Sequence, residues 1–444
     1  MTRQKKDRDY EAGEESTLST ATVATFVEKE EVLSSKVSSC PEGGLRAWLT
    51  ILGVFLIQFT TFGYTNAHGV YNDYYVREYL QKTSSSSQIA WIGSTQLFLV
   101  MSVGVVSGRA FDAGHFYALM IGGALLFEFC LFMISITQPE HFYQVFLAQG
   151  VGLGIAVGVM YIPAIGIISH YFQRNRALAI GLGTSGSAVG GAIHPIMLNS
   201  WFHGSVGFHN GVRASAGLTG GLMVIGILLM KPRYPKDKPP TKSMFTEFWG
   251  FLKDIPYVFM ILGTMLTLAG IYYPIFFIQL SSIKNGITPH LAFYTIVVLN
   301  GASAVGRIIP NLLVYRYGPY NIVVPSVYIT ALLIFCSLAI NNAPGTMVFT
   351  VLYGFFSGSY VSVMPAMIGS MAAHDSEIGA RMGVCFTFTG IGGLIGTPVA
   401  GALLSKSFVW WRPVVFAGLC VTTGATCFAT ARFLKARHLQ TQRL

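Results

Sequence analysis

Apolar runs of spanning length, broken by short polar connections, dominate the chain from residue 47 onward. They lie near 47–71, 88–110, 116–137, 142–169, 176–201, 212–230, 256–280, 289–314, 321–340, 346–372, 381–404 and 411–433. A bilayer core needs about 20 apolar residues in helical conformation, so these runs predict twelve transmembrane helices. The long connection is the segment from Lys231 to Asp254. It carries Lys231, Arg233, Lys236, Lys238, Lys242 and Lys253 among Pro232, Pro235, Pro239 and Pro240. It divides the runs six and six. The expected fold is an all-α membrane protein of two six-helix pseudo-repeats, 46–230 and 256–434. A basic linker (231–255) joins them, with a disordered N-terminal tail (1–45) and a short C-terminal tail (435–444).

Motifs support a duplication. Gly108-Arg109 recurs as Gly306-Arg307, Pro163-Ala164 as Pro365-Ala366, Gly190-Gly191 as Gly392-Gly393, and Pro195 as Pro398, offset by 198 to 203 residues. Internal repeats with the binding site between them are a known transporter design. Small residues mark expected close helix contacts. Gly150, Gly154 and Gly158 stripe the fourth run; Gly183, Ser187, Gly190 and Gly191 line one face of the fifth; Gly392, Gly393, Gly396 and Gly401 mark the eleventh. Pro163, Pro195, Pro274, Pro310, Pro365 and Pro398 interrupt the helical ladder and offer bend points.

Composition agrees with a membrane protein: of 444 residues 52% are hydrophobic and 11% charged, with a mean hydropathy of +0.55. Nine of the nineteen acidic residues precede Arg46, which predicts a polar cytosolic tail rather than a secretory leader. Basic residues cluster beside apolar runs: Arg174, Arg176, the linker, Arg316, Arg381, Arg432, Lys435 and Arg437. The positive-inside rule then puts both termini in the cytoplasm. The net charge of +10 therefore speaks for a lipid bilayer partner, not nucleic acid. The six cysteines lack metal-ligand spacing or a disulfide framework, so no metal and no cofactor is expected. Scattered histidines and the lack of a phosphate-cradling loop argue against an enzyme.

The candidate chemistry centres on Arg307, inside the apolar run Leu299 to Leu313. A guanidinium stays charged at neutral pH and costs roughly 2.5–3.5 kcal/mol at bilayer depth on insertion scales. It is retained where it faces an aqueous cavity, pairs with an acid, or meets an anionic ligand. Asn300, Ser303 and Arg307 stand at i, i+3 and i+7, a polar stripe on one face. On the first run Thr61, Tyr64, His68 and Asn72 share a face, with Asn66 opposite. Tyr64 and His68 are therefore substrate-site candidates. His68 could relay a proton or serve as a neutral packed imidazole. Glu128, with apolar neighbours at helical spacing, is a second protonatable candidate whose alternative is an interfacial role. Tyr272 and Phe276, flanking Pro274, would form an apolar wall. His194 and Pro195 are candidates for gating or for packing; Arg109 and Asp112, ending the second run, for a gate latch.

Four segments resemble the fungal branch of the monocarboxylate transporter family within the major facilitator superfamily. They are Pro41-Glu-Gly-Gly-Leu-Arg-Ala-Trp48; Tyr171-Phe-Gln-Arg-Asn-Arg-Ala-Leu-Ala-Ile-Gly181 with the glycine-rich stretch after it; Asn300-Gly-Ala-Ser-Ala-Val-Gly-Arg-Ile-Ile-Pro-Asn311; and Tyr353-Gly-Phe-Phe-Ser-Gly358. The resemblance implies a carboxylate-binding role for Arg307. It also has departures: Ser303 stands where animal members carry an eighth-helix aspartate, Tyr315 where an acid follows that helix, and the first-helix lysine is unmatched. The proton-coupling machinery of the animal carriers therefore does not transfer. The expected function is a secondary active transporter of a small organic anion at the plasma membrane, working by alternating access, with symport one option. The alternative is an exporter of a fungal secondary metabolite; a transporter-derived nutrient sensor is more distant.

Overall fold

The computed structural model describes residues 42–233, 244–372, 377–404 and 409–439. Most of the expected N-terminal tail, the middle of the linker and the last residues of the chain lie outside that set. The described residues are all-helical. Eleven helices among them are long and apolar enough to cross a bilayer. We number these, with one further long helix, in chain order: α1 Leu45–Tyr79, α2 Gln88–Asp112, α3 Phe116–Ile134, α4 Phe142–His170, α6 Gly207–Leu229, α7 Ile255–Lys284, α8 Pro289–Tyr317, α9 Pro319–Ala339, α10 Ala343–Gly369, α11 Ile378–Leu404 and α12 Trp411–Arg437. The twelfth, α5 Arg176–Phe202, is long but less apolar. Its glycines, serines and threonine lower its hydropathy, and they do so because α5 is packed by protein rather than lipid: sixteen of its residues are buried.

Local chemistry explains several helix ends. Ser85 and Gln88 form a reciprocal capping box at the start of α2. Asn342 accepts from Gly345 N–H to open α10. Within the basic linker the sequence reading foresaw no helix, yet Met244–Leu252 is helical. Its Phe248 stacks near Phe388 of α11 and its Phe251 near Tyr257 of α7.

Helix α1 is not one regular helix. It is interrupted at Thr61 (ψ −79°) and at Ala67 (ψ 0°), and its last turn widens to a π-turn over Tyr75–Tyr79. Such breaks are tolerated in a membrane only where protein surrounds the freed backbone groups.

The small-residue seams are real but differently arranged from the expectation for α5. Gly183, Gly186 and Gly190 face α1, meeting Val54, Phe55 and Phe59. Gly181 and Gly191 face α8, meeting Arg307, Asn311 and Asn300. The single face splits in two because α5 is wedged between α1 and α8. The stripe Gly150, Gly154 and Gly158 of α4 rests on Ile92, Gln96 and Leu99 of α2. On α11, Gly392 and Gly396 meet α7, while Gly383 and Gly390 meet α2. Gly401 has open space beyond one distant ring atom. The pairs α5–α8 and α2–α11 thus frame the centre of the molecule.

The repeated Gly-Arg dipeptides do not sit at equal depth. Arg109 is three residues before the end of α2, whereas Arg307 is ten before the end of α8. At 1.5 Å per residue that is about 10 Å along the helix axis.

Candidate substrate site

Arg307 is buried, with 7% of its surface exposed. Its Nη1 donates to the Thr184 carbonyl at 2.8 Å and to Ser187 Oγ at 2.6 Å, both on α5. Its Nε reaches Ser303 Oγ, one turn back on α8, at 3.4 Å. No carboxylate pairs with it among the described residues. Nη2 has no protein acceptor among the described residues, yet it is not sealed from its surroundings. Tyr161 of α4 and Tyr272 of α7 are close enough to interact electrostatically with the guanidinium. Arg307 thus has the polar stripe expected from sequence, with a hydroxyl where an acid could have stood.

The third stripe member, Asn300, donates to its own helix at Ile296 O (3.0 Å). Its Oδ1 lies against Gly191, and so does the amide of Asn66. Asn66 also approaches Ser187 O at 3.5 Å. Two asparagines from α1 and α8 therefore converge on α5, which corrects the expected face of α1. Asn66, not Tyr64, turns toward the centre. The break at Ala67 and the i, i+7, i+11 spacing put Tyr64, Tyr71 and Tyr75 on a different face. Tyr64 bonds Tyr71 Oη at 2.5 Å and Ser215 Oγ of α6 at 2.9 Å. It is 2% exposed and is not among the residues lining the cavity between α1, α2 and α7.

A small cavity of about 20 Å³, room for about one water-sized group, is lined by Thr65, Asn66 and His68 of α1, Gly93, Gln96 and Leu97 of α2, and Tyr272, Ile275 and Phe276 of α7. Three expected residues meet there: His68, Tyr272 and Phe276. The two aromatic rings stack with centroids 5.6 Å apart at 26°, being i and i+4 on α7. Gln96 is the member that sequence reasoning missed. The signal was present in the polar run Gly93-Ser-Thr-Gln96 inside an apolar helix, but a neutral amide draws less attention than a charge.

Other candidates fall elsewhere. Glu128 accepts from Thr219 Oγ1 of α6 at 3.0 Å and abuts Gly220. It belongs to the α3–α6 interface, away from the cavity lining. His194 is fully buried, its Nε2 3.1 Å from Phe59 O and its ring against Phe59 and Tyr64. It is part of the α1–α5 packing, and Pro195 beside it is buried within α5. Asp112 does reach across a seam. Its carboxylate lies against Gly379, in the first turn of α11, where exposed amides and the helix dipole favour an anion. Gly108 of the same helix approaches the Gly379 carbonyl. Arg109, next to Gly108, is half-buried near the end of α2.

Further contacts gather at the arginine-rich end. Arg174 lies 4.8 Å over the ring of Tyr315. The signature before α1 also acquires a structural role. The Glu42 carboxylate accepts from the backbone N–H groups of Gln173 (2.7 Å), Arg174 (2.5 Å) and Asn175 (3.3 Å) in the α4–α5 loop. Glu42 itself has φ +47°, a conformation strained for a non-glycine residue. Burial alone would raise its pKa; the three amides and the Arg174 charge outweigh that and hold it below the ordinary carboxylate value. Trp48 of the same signature meets Phe172 edge to face at 5.8 Å.

A second buried arginine, Arg381 of α11, is 8% exposed. It pairs with Asp254 at 3.0 Å and Glu377 at 3.6 Å. The rings of Phe251 and Tyr257 flank it at 4.8 and 4.9 Å.

With this architecture in view, comparisons with known proteins are decisive at the level of family. The profile of the Major Facilitator Superfamily matches residues 48–341 and 286–443. The chain belongs to the Major Facilitator Superfamily. It is a membrane transporter, not an enzyme. It is 36% identical over 395 residues to the "Aspyridones efflux protein apdF" of Emericella nidulans, covering 89% of this chain and 79% of the relative. It is 32% identical over 411 residues to the "Agnestins efflux protein AgnL12" of Paecilomyces divaricatus, covering 92% of each. Among solved structures, the transporter FucP in its outward conformation superposes with a TM-score of 0.65 at 14% identity, covering 86% of this chain and 98% of that one. That last likeness speaks to the fold alone. The resemblance drawn from sequence motifs therefore holds for the superfamily. For the branch, these relatives carry efflux names rather than monocarboxylate ones.

Proposed function

We propose that this superfamily member exports a small organic metabolite, with Arg307 gripping an oxygen of the cargo. The observation that carries the binding mode is the buried guanidinium of Arg307, satisfied on one edge by neutral acceptors of α5 and open at Nη2. A cation held without a countercharge is costly, and an anionic or strongly polar cargo oxygen lowers that cost when it binds. The direction of transport is supported by the efflux names of the relatives. They favour export of a secondary metabolite over monocarboxylate uptake, and the absence of an acid at Ser303 is consistent with that preference.

The mechanism we infer is alternating access. Two halves, 46–230 and 256–434, rock about the α5–α8 and α2–α11 seams, and Asp112 against the start of α11 latches one end. By the positive-inside argument that end faces the cytoplasm, and the membrane is the plasma membrane. His68 borders the cavity and is the proton-coupling candidate we retain; Glu128 does not border it.

Deletion of the gene in its host, with metabolite profiling inside and outside the cells, tests the proposal. Export predicts at least one organic metabolite retained in the deletion strain and released again on re-expression. An unchanged distribution, or a metabolite lost from inside the deletion strain, contradicts it.

A further inference from the structure

The cavity between α1, α2 and α7 holds a polar pair that the grip on Arg307 does not use. Gln96 is 2% exposed. Its Nε2 reaches Thr65 Oγ1 at 3.4 Å, while its Oε1 has no partner. An amide oxygen sealed from water without a donor is an unfavourable arrangement for a folded chain to retain.

His68 supplies the complement. Tyr75 Oη donates to Gln149 Oε1 at 2.7 Å, which turns the Gln149 amide nitrogen toward His68 Nδ1 at 3.3 Å. Nδ1 is then the acceptor and the proton resides on Nε2. That nitrogen points at Gly93, where an added Cβ would stand only 2.5 Å away. Glycine at this position makes room for the imidazole edge. Gly93 and Gln96 are one turn apart on the same face of α2. His68 and Gln96 both line the cavity that Tyr272 and Phe276 border from α7.

We propose that this cavity is a recognition subsite for one hydroxyl group of the cargo, the size of group it has room for. The hydroxyl donates to Gln96 Oε1 while accepting from His68 Nε2–H, and Tyr272 and Phe276 wall the cavity from α7. A hydroxyl does both through one atom. An ether oxygen accepts only and leaves Gln96 unpaired, and a site built for a donor rejects the analogue lacking it. The proposal rests on the metabolite-exporter reading and adds a specificity determinant, Gln96, to it.

The test is equilibrium binding to the purified full chain in nanodiscs, with 4-hydroxycinnamate and its methyl ether, 4-methoxycinnamate, as the probes. Wild type is expected to prefer the hydroxyl probe by about tenfold or more. Gln96→Leu should erase that preference while holding 4-methoxycinnamate affinity within about twofold. Gln96→Asn, which keeps the amide but withdraws it by one methylene, should reduce the preference and serves if the leucine variant fails to fold. Equal affinity for the two probes in wild type, binding of neither, or a preference undiminished in both variants overturns the proposal. Binding at equilibrium is blind to the direction of transport. A deletion strain that retains nothing would therefore sink the export reading while a measured preference for the hydroxyl probe still stood.

Discussion

Two arginines in this chain are about equally buried, and their surroundings differ in kind. Arg381 meets two carboxylates, Asp254 and Glu377, and lies between two aromatic rings. Arg307 meets a carbonyl and two hydroxyls, no carboxylate among the described residues, and keeps one edge open. The first is neutralised by the fold. The second is held in place by the fold but left electrostatically unfinished. Burial alone would have classed them together; the partners separate a residue that ties α11 to the start of α7 from one poised for a ligand.

The contrast can be broken by mutation. The largest effect is expected at Arg307. Arg307→Ala should lower export about 10- to 100-fold, the equivalent of one or two charge-assisted hydrogen bonds. Surface expression should stay near wild type, because Thr184 O and Ser187 Oγ can bond elsewhere within α5. Efflux from loaded vesicles, normalised to protein content, reads this out.

Arg381→Ala should show the opposite pattern: a loss of thermal stability with transport per folded molecule retained. Losing a partner from a fully buried pair costs about 3–5 kcal/mol. Asp254 and Glu377 are 31% and 28% exposed, so solvent rescues part of that, and about 1–2 kcal/mol is expected. Unfolding monitored by intrinsic fluorescence measures it.

Gly93→Ala sharpens the picture at the cavity. Alanine in a helix interior is ordinarily favoured by about 1 kcal/mol over glycine. Here its Cβ would meet the His68 ring, and overpacking costs about 1–3 kcal/mol. A neutral to mildly lower melting temperature is expected, together with weakened cargo binding. A clear gain in both would show that the ring has free room.

The smallest effect is at Glu42. Its pKa is depressed in the fold, so its contribution is present above the ordinary carboxylate range near pH 4.5 and is lost as pH falls through the lower folded value. The carboxylate is largely exposed, and the stabilisation is under about 1 kcal/mol. Melting curves of wild type and Glu42→Gln should differ at pH 7 and converge toward pH 3.

Much of this fold could be read from the chain because the bilayer imposes one rule: long apolar helices. The expected runs fall on the observed helices, and even α5, too small-residue-rich for its hydropathy to stand out, was marked by its glycines. Arg307 was legible for the same reason, a charge in an apolar run. What stayed hidden required distance or irregularity. Arg381 and Asp254 are 127 positions apart, so no local pattern links them. His68 was expected on the face of Tyr64, yet it borders the cavity with Asn66, because Ala67 breaks the helix whose regular period that expectation assumed. Gln96 carries no charge, and only its unpaired oxygen beside the cavity gives it meaning.

The most direct test of the central claim is a paired ligand-stabilisation measurement on wild type, Arg307→Gln and Arg381→Gln, using a metabolite identified as retained by the deletion strain. Arg307→Gln should keep the ligand-free melting temperature near wild type and lose most of the ligand-induced rise. Arg381→Gln should lower the ligand-free value and keep the rise. An Arg307→Gln protein that melts early yet is stabilised by ligand as fully as wild type would contradict the account, because it would make Arg307 a structural residue like Arg381.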